Sequence, residues 1–381
     1  MSLLPDHGAV DRTPAPTLAG RVAAGGTIPF ETWMRLALHD PELGYYARNV
    51  RDVGGRGDFA TASTLHPALG EAIAAWAAAR RRALGGPLAR WNLVEAGPGN
   101  GALAEAVLAS LPLLARRTAR LHLVETSPVL RKVQRERLGD RATWHETMEE
   151  ALAACGGRAI AWASELLDAF PVQVLRWSGT GWEALWISLR GKDREEREVK
   201  PGSSSNGDVW REDWRPASSD GLGGAAPAAF SALQRHWPEG QRIEIAPAIR
   251  SFFLPSKKSP FSSLLSGSFL LLDYGDTIDR LYDRRPSGTV RGYAHHVRLE
   301  GEDLYRWGGK ADVTADVNFT DVAAWGVEAG FDVSPLEAQG AFIARHAKNA
   351  AARAAREPAL AFLLDPRGAG TGFKTLELRK G

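Results

Sequence analysis

Apolar residues recur along this chain with two periods, and the change from one to the other marks its organisation. Phe30, Trp33, Met34, Ala37 and Leu38 have helical spacing and precede Pro41, which predicts a helix followed by a turn. HPALGEAIAAWAAARRRAL predicts a second helix whose basic end, Arg80 to Arg82, suits a helix C-terminus. From Trp91 short apolar runs alternate with helical ones: WNLVEAG, ALAEAVLASL, RLHLVET, SPVLRKVQRERL, TWHE, TMEEALAA and AIAWASELLDAFPV. Ser127 and Pro128 form an N-cap and N1 pair, and Thr147 with Glu150 has capping-box spacing. Such alternation predicts an α/β fold with parallel strands, right-handed crossovers and helices on both faces of the sheet.

Further along, GWEALWISL predicts a strand outside that rhythm, and SGSFLLLDYGDT a buried central one. ADVTADVNFTDVAAWGVEAGF predicts a strand and then a helix ending at Gly330. The expected layout is a mobile tail over 1–27, a helical and lid segment over 28–90, and a core over 91–381. An insertion at about 188–230, charged and then rich in Ser and Gly, interrupts the core, with Trp210 and Trp214 its few apolar anchors.

With 381 residues, 44% of them hydrophobic and 24% charged, and a net charge of +2, the chain has the composition of an ordinary globular protein. Nothing in that balance points to nucleic acid. The single cysteine, Cys155, excludes a disulfide framework and a cysteine metal site and suits a reducing compartment. The opening residues contain Asp6 and Asp11 and no continuous apolar run, so the cytoplasm is the expected location and no membrane insertion is expected. His295 and His296 are adjacent and on a strand would face opposite ways, so no metal site is expected there. Monomer and homodimer both remain open.

The stretch VEAGPGNGALAEAVL carries the candidate chemistry. A strand, a glycine loop and a helix together place backbone N–H groups and a helix N-terminus against a ligand. Gly97, Gly99 and Gly101 suit a nucleoside cofactor, but Gly97, Gly99 and Ala102 also satisfy the dinucleotide pattern. Glu95, just before the loop, favours the cationic S-adenosyl-L-methionine over an anionic pyrophosphate. Glu125, after the next strand, is placed to accept ribose hydroxyls. Glu165 and Asp168 would share a face if Glu165 opened a helical turn, and paired acids there could orient a cationic nucleophile and take up its proton.

Taken together, PELGYY, GDFATAS, VEAGPGNGAL, VETSPVLRKVQ, SELLDAFPV, GQRIEIAP, LLDYGDT and GGKADVTADVNF, in this order, resemble the MidA family of class I methyltransferases. That family includes a mitochondrial arginine methyltransferase acting on a respiratory complex I subunit. The resemblance implies a Rossmann-like class I methyltransferase fold with a mostly parallel seven-stranded sheet, N-terminal helices and an inserted substrate-side region. It implies S-adenosyl-L-methionine as cofactor, held by Glu95, Gly97, Gly99, Gly101, Glu125, Ser164 and Gly57, and a protein arginine as substrate. Glu165, Asp168 and Asp58 match its catalytic positions. Asp273, Tyr274 and Gly275, together with Thr289, Arg291, Tyr293 and His296, match blocks on its substrate side.

Ser164 stands where the family has Asn, and Thr61 to Leu65 where it commonly has Ser-Pro-Glu. These departures keep a non-catalytic, cofactor-binding assembly factor as an alternative. The ambiguous glycine pattern keeps an NAD(P)-dependent oxidoreductase as another.

Overall fold

A computed structural model describes residues 17–48, 65–84, 89–191, 208–217, 237–254, 260–295 and 297–381. Leu18–Gly25 forms a helix (α1) capped by the Thr17 hydroxyl, which accepts the Gly20 N–H at 3.0 Å. The tail expected over 1–27 is therefore corrected from residue 17 onward. Leu18 and Val22, four residues apart, are both buried, a spacing that the surrounding Gly and Ala mask. Thr27–Pro29 (β1) follows, and Phe30–His39 (α2) buries Phe30, Trp33, Met34, Ala37 and Leu38, the face its spacing predicts. The Asp40 carboxylate ends α2 by accepting the Glu42 and Leu43 N–H groups, both at 2.9 Å, and Arg21 of α1 pairs with Asp40 and Glu42.

After Ala68–Arg80 (α3) come the alternating elements: Trp91–Ala96 (β2), Ala102–Ser110 (α4), Ala119–Val124 (β3), Pro128–Leu138 (α5), Ala142–His145 (β4), Met148–Ala154 (α6) and Arg158–Ser164 (β5). The Ser127 hydroxyl caps α5 by accepting the Leu130 N–H at 3.3 Å, and the Thr147 hydroxyl caps α6 by accepting the Glu150 N–H at 3.2 Å. Then follow Gln173–Trp177 (β6), Trp182–Gly191 (β7), Asp208–Pro216 (β8), Arg242–Ile245 (β9), Ser266–Asp276 (β10), Arg291–Ala294 (β11), Val297–Leu299 (β12), Asp312–Thr314 (β13) and Val317–Asn318 (β14). The chain closes with Phe319–Glu328 (α7), Asp332–Val333 (β15), Glu337–Ala338 (β16), Gln339–His346 (α8) and Phe373–Lys380 (β17).

Seven strands form the continuous path β15-β17-β10-β5-β2-β3-β4 of the main sheet, with β14 and β16 attached beside it. Pairing from β4 through β10 is parallel, and β17 runs antiparallel to both β10 and β15. One core, from α3, α4 and α8, covers one face, and a second, from α6 and α7, covers the other. In β10, Phe269, Leu270, Leu271 and Leu272 are all buried because both faces are covered. Each such side chain contributes about 1.5–3 kcal/mol. The expected α/β architecture, with its mostly parallel seven-stranded sheet, is present.

A second sheet has the order β1-β7-β6-β9, with β8 on the other side of β7. Its strands are antiparallel. Here the insertion expected at 188–230 is corrected over 208–216, which pairs with β7 from Asp208 to Pro216. In VWREDW, Trp210 and Trp214 are four residues apart and fall on one face with Glu212 between them, against the core formed with α1 and α2, while Arg211 and Asp213 take the other face. The charge run at 193–197 lies outside the described residues. No helix among the described residues is long and apolar enough to cross a membrane.

Candidate cofactor and acceptor site

Parallel strands deliver the candidate residues to one edge of the sheet. Ala96 is in register with Val124 on one side and Ala163 on the other, and Ser164 is in register with Leu272. The segments beyond these residues, at Gly97, Glu125, Glu165 and Asp273, therefore emerge together at the C-terminal edge, where open α/β sheets bind ligands.

The glycine loop is left-handed at all three positions, with φ of 65° at Gly97, 53° at Gly99 and 79° at Gly101. A Cβ on Gly97 would lie 2.7 Å from Leu166 Cδ1, whereas one on Gly99 would meet nothing within 4 Å. Gly97 thus suits the loop through its left-handed backbone, with the end of the Leu166 side chain against it, and Gly99 faces open space. The Asn100 side chain accepts the Ala102 N–H at 3.0 Å, and Arg137 Nε donates to the Asn100 carbonyl at 2.9 Å. Gly101 is the N-cap of α4, so the loop leads straight into a helix N-terminus. Open space above Gly99 and a carboxylate on the neighbouring strand end fit a nucleoside cofactor.

Glu125 is that carboxylate. It is buried, its Oε1 accepts the Ser127 N–H at 2.8 Å, and its Oε2 accepts Gln134 Nε2 at 3.2 Å. Burial raises its pKa, while these two bonds and Arg131 work against the rise.

Glu95 departs from expectation. It is 2% exposed, on the face that Leu93 shares, and is in register with Trp162. Desolvation pushes its pKa up to about 8, opposed by the Trp162 side chain and the Ala104 backbone. Glu95 is therefore neutral at pH 7 and buried beneath the loop, so the expected attraction between its charge and a sulfonium is corrected. It offers no charge against a pyrophosphate either.

A pH effect on stability follows from the raised pKa. The folded state holds the Glu95 proton between pH 4.5 and about 8, where the unfolded chain releases it. This contribution is complete below pH 4.5 and lost as pH rises through about 8. It amounts to roughly 5 kcal/mol as an upper bound. Glu95→Gln cannot titrate, so its melting temperature should match the wild type near pH 5 and exceed it near pH 9. Parallel melting curves across that range would contradict the assignment.

Beyond β5 the chain does not open a helical turn at Glu165, so the geometry expected for the Glu165–Asp168 pair is corrected. Glu165 is left-handed with φ 52°, and the short 3-10 turn covers only Leu167–Ala169. The Asp273 carboxylate shapes this turn: its Oδ2 accepts the Leu167 N–H at 2.8 Å and the Asp168 N–H at 3.3 Å, and its Oδ1 accepts the Tyr274 N–H at 2.9 Å. Glu165 Oε2 then accepts the Tyr274 hydroxyl at 3.0 Å. Asp168 is buried, and its Oδ2 accepts the Thr314 hydroxyl at 2.9 Å. Burial pushes Asp168 up to about 6, against the Thr314 bond and Arg291. Asp273, 1% exposed, is raised by burial and by the Asp168 and Glu165 charges. Three acids thus meet at one turn, where the sequence suggested two.

Tyr274 also belongs to the wall of a cleft of about 1540 Å³, lined in addition by Trp210, Glu212, Arg242, Arg291 and Asp316. Its floor is the face of the antiparallel sheet that carries Trp210 and Trp214. Arg176 and Arg242 stack over the Trp214 ring, 4.3 and 4.8 Å from its centroid, and Arg242 pairs with Glu212 at 2.8 Å. Arg291 pairs with Asp316 at 2.5 Å and lies 5.5 Å from the Tyr274 ring centroid. Thr289 donates its N–H and hydroxyl to the buried Glu244 at 2.8 and 2.9 Å.

Of the expected site residues, Glu95, Gly97, Gly99, Gly101, Glu125, Ser164, Glu165 and Asp168 all belong to strands β2, β3 and β5 or to the segments leaving their C-terminal ends. Gly57, Asp58, Phe59 and His296 lie outside the described residues. Asp273 and Tyr274, which the resemblance places on the substrate side, and Thr314, which the sequence reading did not single out, enter the acid cluster through contacts more than 100 residues apart in sequence, which no local spacing signals. Gln134 is the other addition, and its signal was local: a polar residue midway between buried Leu130 and Leu138.

The sequence matches the family model of S-adenosyl-L-methionine-dependent methyltransferases over residues 72–336. A Drosophila melanogaster protein named protein arginine methyltransferase NDUFAF7 homolog, mitochondrial, is 28% identical over 405 residues, covering 96% of this chain and 85% of that protein. Its Danio rerio relative, protein arginine methyltransferase NDUFAF7, mitochondrial, is 27% identical, covering 80% and 69% of the two chains. A Burkholderia thailandensis protein crystallised with S-adenosyl-homocysteine shares the fold, with a TM-score of 0.74 at 24% identity, over 95% of this chain and 92% of that one.

Proposed function

Since the chain belongs to the S-adenosyl-L-methionine-dependent methyltransferase family, we propose that it methylates an arginine side chain of a protein substrate. The expectation of a MidA-type methyltransferase is met, and the oxidoreductase alternative falls away. Arginine as acceptor is supported by the names of the fly and zebrafish relatives. A carboxylate bonded to a tyrosine of the cleft wall supports it too.

The observation that carries this reading is the position of Tyr274. It lines the cleft and also donates its hydroxyl to Glu165, so the acceptor cleft and the acid cluster meet at this side chain. A guanidinium entering there comes beside Tyr274, whose hydroxyl is bonded to the Glu165 carboxylate, a group whose fork matches the planar donors of arginine. When bound, S-adenosyl-L-methionine supplies an electrophilic methyl group on a sulfonium. Glu125 would hold the cofactor's ribose, and Gly97, Gly99 and Gly101 would let it approach the backbone. Glu95, neutral and buried, supports the loop from beneath.

Glu165 aims the guanidinium, and its carboxylate takes up the proton that a methylated nitrogen must release. Asp273 holds the turn in place through the Leu167 and Asp168 N–H groups. Asp168, buried and bonded to Thr314, adds negative potential at the same turn.

A lone buried cysteine suits the cytoplasm as its compartment, although the fly and zebrafish relatives are named mitochondrial. The test of function is purified chain with isotopically labelled cofactor in an extract from cells lacking the protein, followed by peptide mass spectrometry. Label on arginine is the expected result. Label only on another residue type would overturn the acceptor assignment, and cofactor binding without any transfer would favour the assembly-factor alternative.

A further inference from the structure

The buried stripe of α5 contains one polar residue. Leu130, Gln134 and Leu138 follow one another at four-residue spacing, and Gln134 is 0% exposed. A buried amide without partners would be costly, but this one has a partner at each end. Nε2 donates to the Gly99 carbonyl at 2.7 Å and to Glu125 Oε2 at 3.2 Å, while Oε1 accepts the Trp144 indole N–H at 2.8 Å. An indole nitrogen only donates, so the Trp144 bond decides which end of the amide is oxygen and directs both N–H bonds toward the site.

The two acceptors of Nε2 belong to different parts of that site. Gly99 is the middle glycine of the loop, and Glu125 is the acid on the adjacent strand end. A carboxylate has about four acceptor positions. Ser127 and Gln134 use two of the positions on Glu125, which leaves others for hydroxyls.

We propose that Gln134 is a positioning residue for the cofactor: it joins the glycine loop to Glu125, so that the ribose hydroxyls meet a carboxylate already fixed in direction. This rests on the reading that Glu125 receives the ribose. Gln134 touches no ligand itself. A simple core-filling role would give the same burial but a different response to the ligand's hydroxyls.

Calorimetric titration of the full chain with S-adenosyl-homocysteine and with its 2′-deoxyribose analogue separates the two roles. Gln134→Met keeps the side chain's length and removes the amide. It should weaken S-adenosyl-homocysteine about tenfold and the deoxy analogue only about twofold, because contacts in one network are non-additive. Equal losses for both ligands, or no loss for either, would overturn the proposal.

Glu125→Gln tests the underlying reading by itself. If that variant binds S-adenosyl-homocysteine like the wild type, the ribose placement fails and the proposal with it. If it weakens binding while Gln134→Met does not, only the coupling fails. Should Gln134→Met not fold by circular dichroism, Trp144→Phe replaces it, since it releases Oε1 and leaves Nε2 in place. The expected loss is then about threefold for S-adenosyl-homocysteine and none for the analogue, with equal losses again counting against the proposal.

Discussion

Gly99→Val should raise the dissociation constant for S-adenosyl-homocysteine by about 100-fold or more, through backbone strain and lost space together. At φ 53°, Gly99 has a conformation that a β-branched residue adopts only with strain, so valine would pull the loop toward another geometry. Two neighbours resist that movement: Gln134 holds the Gly99 carbonyl at 2.7 Å, and Arg137 holds the next carbonyl at 2.9 Å. If the loop holds, the valine side chain projects into the open space where a cofactor would approach. If it yields, the carbonyl and N–H directions change. Gly99→Ala separates the contributions, because alanine carries the left-handed strain with little bulk and should lose about five- to tenfold. Calorimetry checks both variants, with thermal melts to show that they fold. Unchanged affinity in the valine variant would remove the loop from the site.

Much of this arrangement is legible from local chemistry. The order of β2, β3, β4 and β5 follows from apolar runs separated by capped helices, with Ser127 and Thr147 marking two helix starts. The glycine loop and Glu125 lie where the end of a parallel strand must place them. The state of Glu95 is less visible, because its closeness to Gly97 suggests a ligand contact. Strand alternation puts Glu95 on the same face as Leu93, and that face is covered by α3 and α4. Burial then decides its protonation, and proximity in sequence does not.

β8 hides for the opposite reason. The charges between Trp210 and Trp214 suggest a solvated insertion until they are assigned to alternate faces of a strand. The acid cluster was the least legible part. Its geometry depends on Asp273 receiving N–H groups from a turn more than 100 residues earlier, and on Glu165 taking a left-handed conformation that no propensity favours for glutamate.

Glu165→Gln should reduce methyl transfer about 1000-fold, within the range of a lost general base, while leaving the affinity for S-adenosyl-homocysteine within about twofold. Glutamine keeps an acceptor for the Tyr274 hydroxyl, bonded in the wild type at 3.0 Å, so the turn and the cleft wall should persist. It loses the charge that attracts a guanidinium and the basic oxygen that receives a proton. Tyr274→Phe makes the complementary change, keeping the charge of Glu165 but removing the hydroxyl that bonds to its Oε2. Its effect should be about tenfold and should appear in kcat more than in KM, as expected when only orientation is lost. If Glu165 acted only through the fold, the two variants would lose melting temperature in proportion to their activity. A fully active Glu165→Gln enzyme would move the acceptor site away from this turn, leaving Asp168 and the Thr314 contact as the next acid to test.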